Sequence, residues 1–311
     1  MIVTVTPNPS LDRTLTVPSI SFNEMLRATT SRLDWGGKGF NVSRALQALG
    51  TESVAMGFAG GATGEMLDRG LREMGIATEL VPVAGETRTN TVVTELRGER
   101  YVKVNEPGPT VHEENLASFL SRARARIKSG DLWVVSGSLP PGLPNDFYAQ
   151  LIQQVRAGGA RALLDASSEP LKLGCAAGPF LVKPNALEAA EFAGHPIGSE
   201  ADALSAVRCF LQWGAELVAL SLGADGLLLA SGKQVVRAKP PKVEARNPVG
   251  AGDALLAGLA WAQERGLDHE EMARWGVAAG TAAAMREGVS FGGQAEVEAV
   301  HDRVDIICMR L

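Results

Sequence analysis

The sequence predicts an α/β fold in which a mainly parallel sheet is sandwiched between helices and carries a small β-sheet lid. Three observations lead there. Short apolar runs alternate with helically spaced ones along most of the chain, the pattern of parallel strands joined by crossover helices and covered on both faces. Glycine-rich turns lead into several of those helices. Two stretches, 13–34 and 87–104, break the alternation.

The chain opens on a strand, Ile2 to Thr6, stopped by Pro7 and Pro9. A glycine turn then feeds a helix within 36–50, where Val42, Ala45, Leu46 and Leu49 recur at helical spacing. Val54 to Phe58 is the next strand, and a helix follows from Gly64 to Met74, closed by Gly75. The same order recurs downstream: strands at Leu132 to Ser136, Ala162 to Asp165, Phe180 to Lys183 and Leu217 to Leu220, with helices from Pro144 and from Ala186 to Ala193. From Asp253 onward the pattern is helical, with alanine-rich segments at 254–265 and 270–286. In 87–104, Thr89, Thr91 and Val93 alternate with Asn90, Val92 and Thr94, with a turn at Gly98. This segment and 13–34 are expected as antiparallel hairpins that form the lid.

Composition narrows the partners. With 30 Lys+Arg against 35 Asp+Glu, the net charge of −5 argues against a nucleic-acid binder, which needs a basic surface for phosphates. Aromatic residues are only 5%, too few for base-stacking platforms. Cys175, Cys209 and Cys308 have neither disulfide-framework nor zinc-site spacing. The start lacks a basic, apolar leader, and no apolar run reaches the roughly 18 residues of a membrane span. A cytoplasmic protein with no membrane partner is expected.

The segment richest in chemistry is Asn247-Pro248-Val249-Gly250-Ala251-Gly252-Asp253. Glycines before a helix leave N–H groups bare, and the helix dipole adds about half a positive charge, so the turn suits an anion. The same residues suit a plain turn capped by Asp253. Neither GK[ST] nor the dinucleotide glycine spacing is present. A second glycine turn, Gly36-Gly37-Lys38-Gly39-Phe40-Asn41, offers a cation for a phosphate and an amide for a hydroxyl. Lys183-Pro184-Asn185 with Glu188, and Ser221 to Gly226, each follow a strand, where open parallel sheets bind ligands. The four histidines lie outside all of these segments.

Together with Asn8-Pro9-Ser10-Leu11-Asp12, Thr87-Arg88-Thr89-Asn90 and Ser136-Gly137-Ser138-Leu139-Pro140, these segments resemble, in order, the motifs of ribokinase-like (PfkB-type) sugar kinases. The resemblance spans essentially the whole chain and implies a single ribokinase-like domain, 1–311, with the lid inserted in it. Within the family the chain is similar to the phosphosugar branch: Lys38 is shared with 1-phosphofructokinases and tagatose-6-phosphate kinases. Asn105-Glu106-Pro107-Gly108-Pro109 is most like the 1-phosphofructokinases, whereas Asn247-Pro248-Val249-Gly250 is like tagatose-6-phosphate kinases.

The resemblance implies conversion of fructose 1-phosphate and ATP to fructose 1,6-bisphosphate and ADP. Its alternatives are a tagatose-6-phosphate kinase, a 6-phosphofructokinase, or a catalytically idle sugar-phosphate sensor. It makes Asp253 the base and the N–H groups of Gly250, Ala251 and Gly252 an anion hole. It assigns the sugar side to Asp12, Gly37, Lys38, Asn41, Arg88 and Ser136, with Arg27 as a further candidate. Lys183, Asn185, Glu188, Ser221, Gly223 and Gly226 fall on the ATP side, with Glu188 and Asn185 reaching Mg²⁺ through water. It also implies a homodimer formed through the lid. Members that bind a monovalent cation often carry an aspartate six residues before the base; here that position is Asn247.

Overall fold

A computed structural model describes residues 1–96 and 100–311. The first half of the chain runs β1 (Ile2–Thr6), β2 (Ser10–Val17), β3 (Thr30–Gly36), α1 (Lys38–Ala48), β4 (Ser53–Ala59), α2 (Gly61–Glu73) and β5 (Ala77–Pro82). It continues through β6 (Arg88–Glu95), β7 (Tyr101–Val104), α3 (Glu113–Arg126), β8 (Leu132–Ser136), α4 (Phe147–Ala157) and β9 (Arg161–Asp165). Then come α5 (Ser168–Ala176), β10 (Leu181–Val182), α6 (Ala186–Ala193), α7 (Glu200–Trp213) and β11 (Leu217–Ser221). The chain finishes with β12 (Leu227–Ser231), β13 (Gln234–Lys239), α8 (Ala251–Glu264), α9 (His269–Ala284), α10 (Gln294–His301) and β14 (Asp305–Arg310).

Ten strands form one sheet in the order β14-β13-β12-β11-β10-β9-β8-β1-β4-β5. The run from β11 to β5 is parallel, and β12 to β14 extend it antiparallel. Both faces are covered, which is why the central strands are continuously apolar. On β1, Val3 and Val5 join the core beneath α3 to α7, whereas Ile2 joins the core beneath α1, α8, α9 and α10. A smaller cluster, including Leu67 and Leu71 of α2, packs with Leu11 and Phe40 under the second sheet.

That second sheet has four strands in the order β3-β2-β6-β7. Two expectations need correcting. The segments 13–34 and 87–104 do form strands outside the main sheet, but the first begins at Ser10, and the two hairpins join through a parallel β2–β6 pair. The proposed turn at Gly98 lies outside the described residues. Nor is the C-terminal part wholly helical, since β14 closes the main sheet on β13.

Strand order reverses at β1, with β4 and β5 on one side and β8 to β11 on the other. The carboxyl ends of strands at such a reversal leave a crevice for ligands. Ser136, Asp165 and Lys183 sit at or just beyond the ends of β8, β9 and β10, and the glycine turn after β3 packs on Thr6 at the end of β1.

Candidate active site

Asp253 lies in the first turn of α8, with only 8% of its surface exposed. It is not the helix cap. Gly250 holds that position with a φ of 84°, a left-handed conformation that glycine adopts without strain. Among the described residues no side chain caps the first turn, so its N–H groups lack intrahelical partners. Ala251 is the exception, donating its N–H to the Pro248 carbonyl at 3.1 Å. The N–H groups left without a partner at this turn are therefore mainly those of Gly250 and Gly252 among the described residues.

The Asn41 amide donates to Asp253 Oδ2 at 2.8 Å across the crevice, joining α1 to α8. Beside this pair is an ion triad centred on the buried Asp165, with Lys183 buried and Lys38 partly exposed. Lys38 Nζ donates to its Oδ1 at 2.8 Å, and Lys183 Nζ lies 3.2 Å from its Oδ2. Lys183 also closes on the glycine turn, where a Cβ on Gly252 would stand 3.7 Å from its Nζ.

These neighbours set the charges. Burial pushes the Asp253 carboxyl up to about 6, and the Asp165 charge adds to the rise, against Asn41, Lys38 and Lys183. Burial also works against ionisation of Asp165, but Lys183 and Lys38 outweigh it and hold that carboxyl below its ordinary value. Burial disfavours the Lys38 ammonium too; Asp165, then Glu188 and Asp253, hold its pKa above the usual lysine range. The result is a buried carboxylate that can still take a proton near neutrality, next to two ammonium groups paired with Asp165.

On the other flank, Asp12 Oδ1 accepts from Ser10 Oγ at 2.8 Å and from the Asn90 amide at 2.9 Å. Arg88 opens β6 and donates to the carbonyls of Asn8 (2.9 Å) and Glu106 (3.2 Å). Glu106 also accepts from the Thr89 N–H, and Pro107 from the Asn8 amide. The Asn105–Pro109 segment is thus built into this flank. Several buried polar atoms here have no partner among the described residues: Arg88 Nε, Asn8 Oδ1, Asn90 Oδ1 and, at the end of β8, Ser136 Oγ. Such atoms are costly unless a ligand or water meets them. Gly37 has a φ of 122°, and a Cβ at this position would stand 2.6 Å from Thr6 Cγ2, so the space is open only to glycine.

On the remaining flank Asn185 caps α6. Its Oδ1 accepts from the Glu188 N–H and Glu188 Oε2 accepts from the Asn185 N–H, each at 2.9 Å. Ser221 donates to the Pro184 carbonyl at 3.2 Å, and Gly223 and Gly226 flank the tight turn after β11. The Asn185 oxygen is therefore spent on the cap, which leaves Glu188 Oε1 as a free oxygen. Among the described residues no three acidic, histidine or cysteine side chains converge on a metal-sized site. One free carboxylate oxygen fits an ion held chiefly by water and phosphate, as magnesium prefers.

Arg27 is the expected residue that joins nothing. It is exposed between β2 and β3 and makes no hydrogen bond or ion pair among the described residues. Conversely, sequence reasoning missed Asp165, Arg44 and the part played by Asn90. Asp165 ends a predicted strand, and Arg44 follows Asn41 by three residues on one helix face, so position alone could have raised both. The three cysteines are free, and among the described residues no helix is long and apolar enough to cross a membrane.

A buried carboxylate in an uncapped first helical turn, flanked by Lys183 beyond a strand end and Lys38 at a helix start, has the chemistry of a group-transfer site for anionic substrates. The family model for pfkB carbohydrate kinases matches residues 8–295, and the chain belongs to that family. It is 37% identical to a 1-phosphofructokinase of Bacillus subtilis, over 92% of this chain and 93% of that protein. It is 36% identical to the ATP-dependent 6-phosphofructokinase isozyme 2 of Escherichia coli, over 92% and 93% respectively. The crystal structure of phosphofructokinase-2 from Escherichia coli in complex with fructose-6-phosphate superposes with a TM-score of 0.90 at 32% identity, covering 97% of this chain and 98% of that one.

Proposed function

We propose that this chain transfers the γ-phosphoryl group of ATP to the free primary hydroxyl of fructose 1-phosphate, giving fructose 1,6-bisphosphate and ADP. The observation that carries this reading is the Asp253 site: a buried carboxylate, pushed up to about 6, at an uncapped helix start beside Asn41, Lys38 and Lys183. The sugar hydroxyl oxygen attacks the γ-phosphorus, its proton passes to Asp253, and the bond to the ADP oxygen breaks. The N–H groups of Gly250 and Gly252, with Lys183 beside them, stabilise charge on the phosphoryl oxygens.

Asp12 and Asn41 hold the sugar hydroxyls, and Ser136 offers a further hydroxyl. Arg88 and Lys38 take the phosphate already on the sugar. Lys38 is 39% exposed, against 4% for Lys183, so it can turn toward a phosphate while Asp165 keeps one partner. Ser221, Gly223 and Gly226 border the nucleotide, and Asn185 shapes that edge by capping α6. Magnesium, when bound, neutralises the nucleotide phosphates; Glu188 is the residue to hold it, through water. The preference for fructose 1-phosphate is supported by the Asn105–Pro109 segment packed on Arg88 and by the 37% identical 1-phosphofructokinase.

The second sheet acts as a lid over the sugar, and its apolar surface serves a homodimer: Phe22, Leu96, Tyr101 and Val104 are all more than half exposed. On this reading the protein works in the cytoplasm, since charged phosphosugars and ATP do not cross a membrane unaided.

A coupled assay for ADP over fructose 1-phosphate, fructose 6-phosphate, tagatose 6-phosphate and free fructose tests the reading. Fructose 1-phosphate should give the highest kcat/KM. A better turnover of another phosphosugar would reassign the substrate; binding without any turnover would make the protein a sensor.

A further inference from the structure

Arg44 has no part in the chemistry assigned above, yet it touches both halves of the site. It lies one turn beyond Asn41 on α1 and is half-buried. Nη1 donates to Asn41 Oδ1 at 3.2 Å and to the Trp35 carbonyl at 3.1 Å, while Nη2 donates to the Val289 carbonyl at 2.9 Å. Its guanidinium carbon stands 5.2 Å from the centre of the Phe291 ring. The loop it grips backs the anion turn: a Cβ on Gly250 would meet Val289 Cγ1 at 3.2 Å and Phe291 Cε1 at 3.6 Å.

The first set of contacts decides which way the Asn41 amide points. A guanidinium has donors only, so it accepts only the amide oxygen as its neighbour. The Asn41 NH₂ is thereby turned toward Asp253 Oδ2, 2.8 Å away. With the amide reversed, its oxygen would face a carboxylate and its NH₂ a cation. The second set ties the loop behind Gly250 to the same helix. Burial disfavours the Arg44 charge, and Asp34, Asp12 and Asp253 offset part of that cost while Arg32 opposes them.

We propose that Arg44 is a positioning residue: it orients the Asn41 amide on the base and clamps the 286–293 loop behind the anion turn, so that both are set before substrate binds. This rests on the role given to Asp253. The clamp is preorganisation supplied by one planar side chain with several donors, which a lysine reproduces only in part.

The test uses Arg44→Gln, Arg44→Lys, Asn41→Ala and the Arg44→Gln/Asn41→Ala double variant of the full chain. Arg44→Gln should lower kcat by about 10–100-fold, the loss expected from a small misplacement of reacting groups. KM for ATP should stay within about threefold, and KM for the phosphosugar should rise no more than in Asn41→Ala, since Asn41 also holds a sugar hydroxyl. Arg44→Lys should recover part of kcat. In the double variant the two losses should fall well short of additive, as for residues acting through one contact. Independently of turnover, hydrogen exchange at 286–293 should quicken in ligand-free Arg44→Gln.

Additive losses with unchanged exchange would overturn the proposal, as would an unchanged kcat. Should Arg44→Gln fail to fold, Arg44→Lys carries both readouts. If the unmutated protein turns over no phosphosugar, the functional reading falls, and the exchange experiment still decides the clamp.

Discussion

Replacing Asp253 with asparagine should damage the enzyme and strengthen the fold. Asparagine keeps the size but cannot take a proton, so kcat should fall at least about 10²-fold, the lower end of what a positioned base contributes. The stability gain follows from the same burial. The carboxyl is displaced from 3.8 to about 6, a penalty of roughly 3 kcal/mol on the folded, ionised form. A neutral amide escapes that penalty, so up to about 3 kcal/mol is to be gained. Over 311 residues, at about 2.1 cal/mol/K of unfolding entropy each, this raises Tm by up to about 5 °C.

The sign with pH is fixed. A folded pKa above the unfolded one favours the folded state when protonated, and that favour is lost as pH rises through about 6. The advantage of Asp253→Asn is therefore full above pH 6 and shrinks as pH falls from there toward 3.8. Ligand-free melts at a series of pH values, beside the ADP assay, read both arms. In the parent, kcat/KM should fall on the acid side of about 6, where Asp253 becomes protonated. A variant that melted lower at alkaline pH and kept its turnover would make Asp253 a structural residue of the first helical turn, and the mechanism would go with it.

Arg88→Ala should raise KM for the phosphosugar by about 10–100-fold, the worth of one or two charge-assisted bonds, and leave KM for ATP nearly unchanged. Loss of ATP affinity instead would mean that the two substrates have been set on the wrong flanks. Asp165→Asn should destabilise the ligand-free protein by about 3 kcal/mol, because it strands the buried Lys183, and should move the acid limb of the rate profile to lower pH by removing a negative neighbour of Asp253; an acid limb that stays put would exclude that coupling. Hydrogen exchange in β6 and β7 should slow when phosphosugar binds, if these strands cover it; equal exchange at saturation would rule out the second sheet as the lid.

The parallel body of the fold could be read from the sequence because its signals are local. Apolar runs such as Leu132–Ser136 and Leu217–Ser221, and glycines at the helix starts, announce themselves within a few residues. What escaped depends on distant partners. The strand β14 has only a six-residue pattern of mixed polarity, and its reason to extend is β13, some seventy residues earlier. The parallel β2–β6 pair joins Asp12 to Asn90, a register that neither hairpin encodes by itself. An antiparallel arrangement was the natural inference from two separate hairpins, since each hairpin strand does pair antiparallel with its own neighbour.

The site divides the same way, and its charges explain why. Residues on glycine turns are legible because the backbone needs them there: Gly37 and Gly250 both sit at positive φ. Asp165 has no such local mark. It is one acid at the end of one strand, and only the fold brings Lys38 and Lys183, from either side in the chain, onto its two oxygens. Yet it governs the others. Without it two lysines would face the crevice unpaired in a buried space, and their repulsion would oppose holding both there at once. With it, both lysines are paired in the ligand-free protein, and Asp253 feels a negative neighbour that raises its proton affinity. Asn41 and Arg44 then act on the same carboxylate from α1, one by donating to it and the other by turning the donor. The glycine turns can be read as a place for phosphate; what makes that place basic is a set of side chains whose meaning exists only after folding.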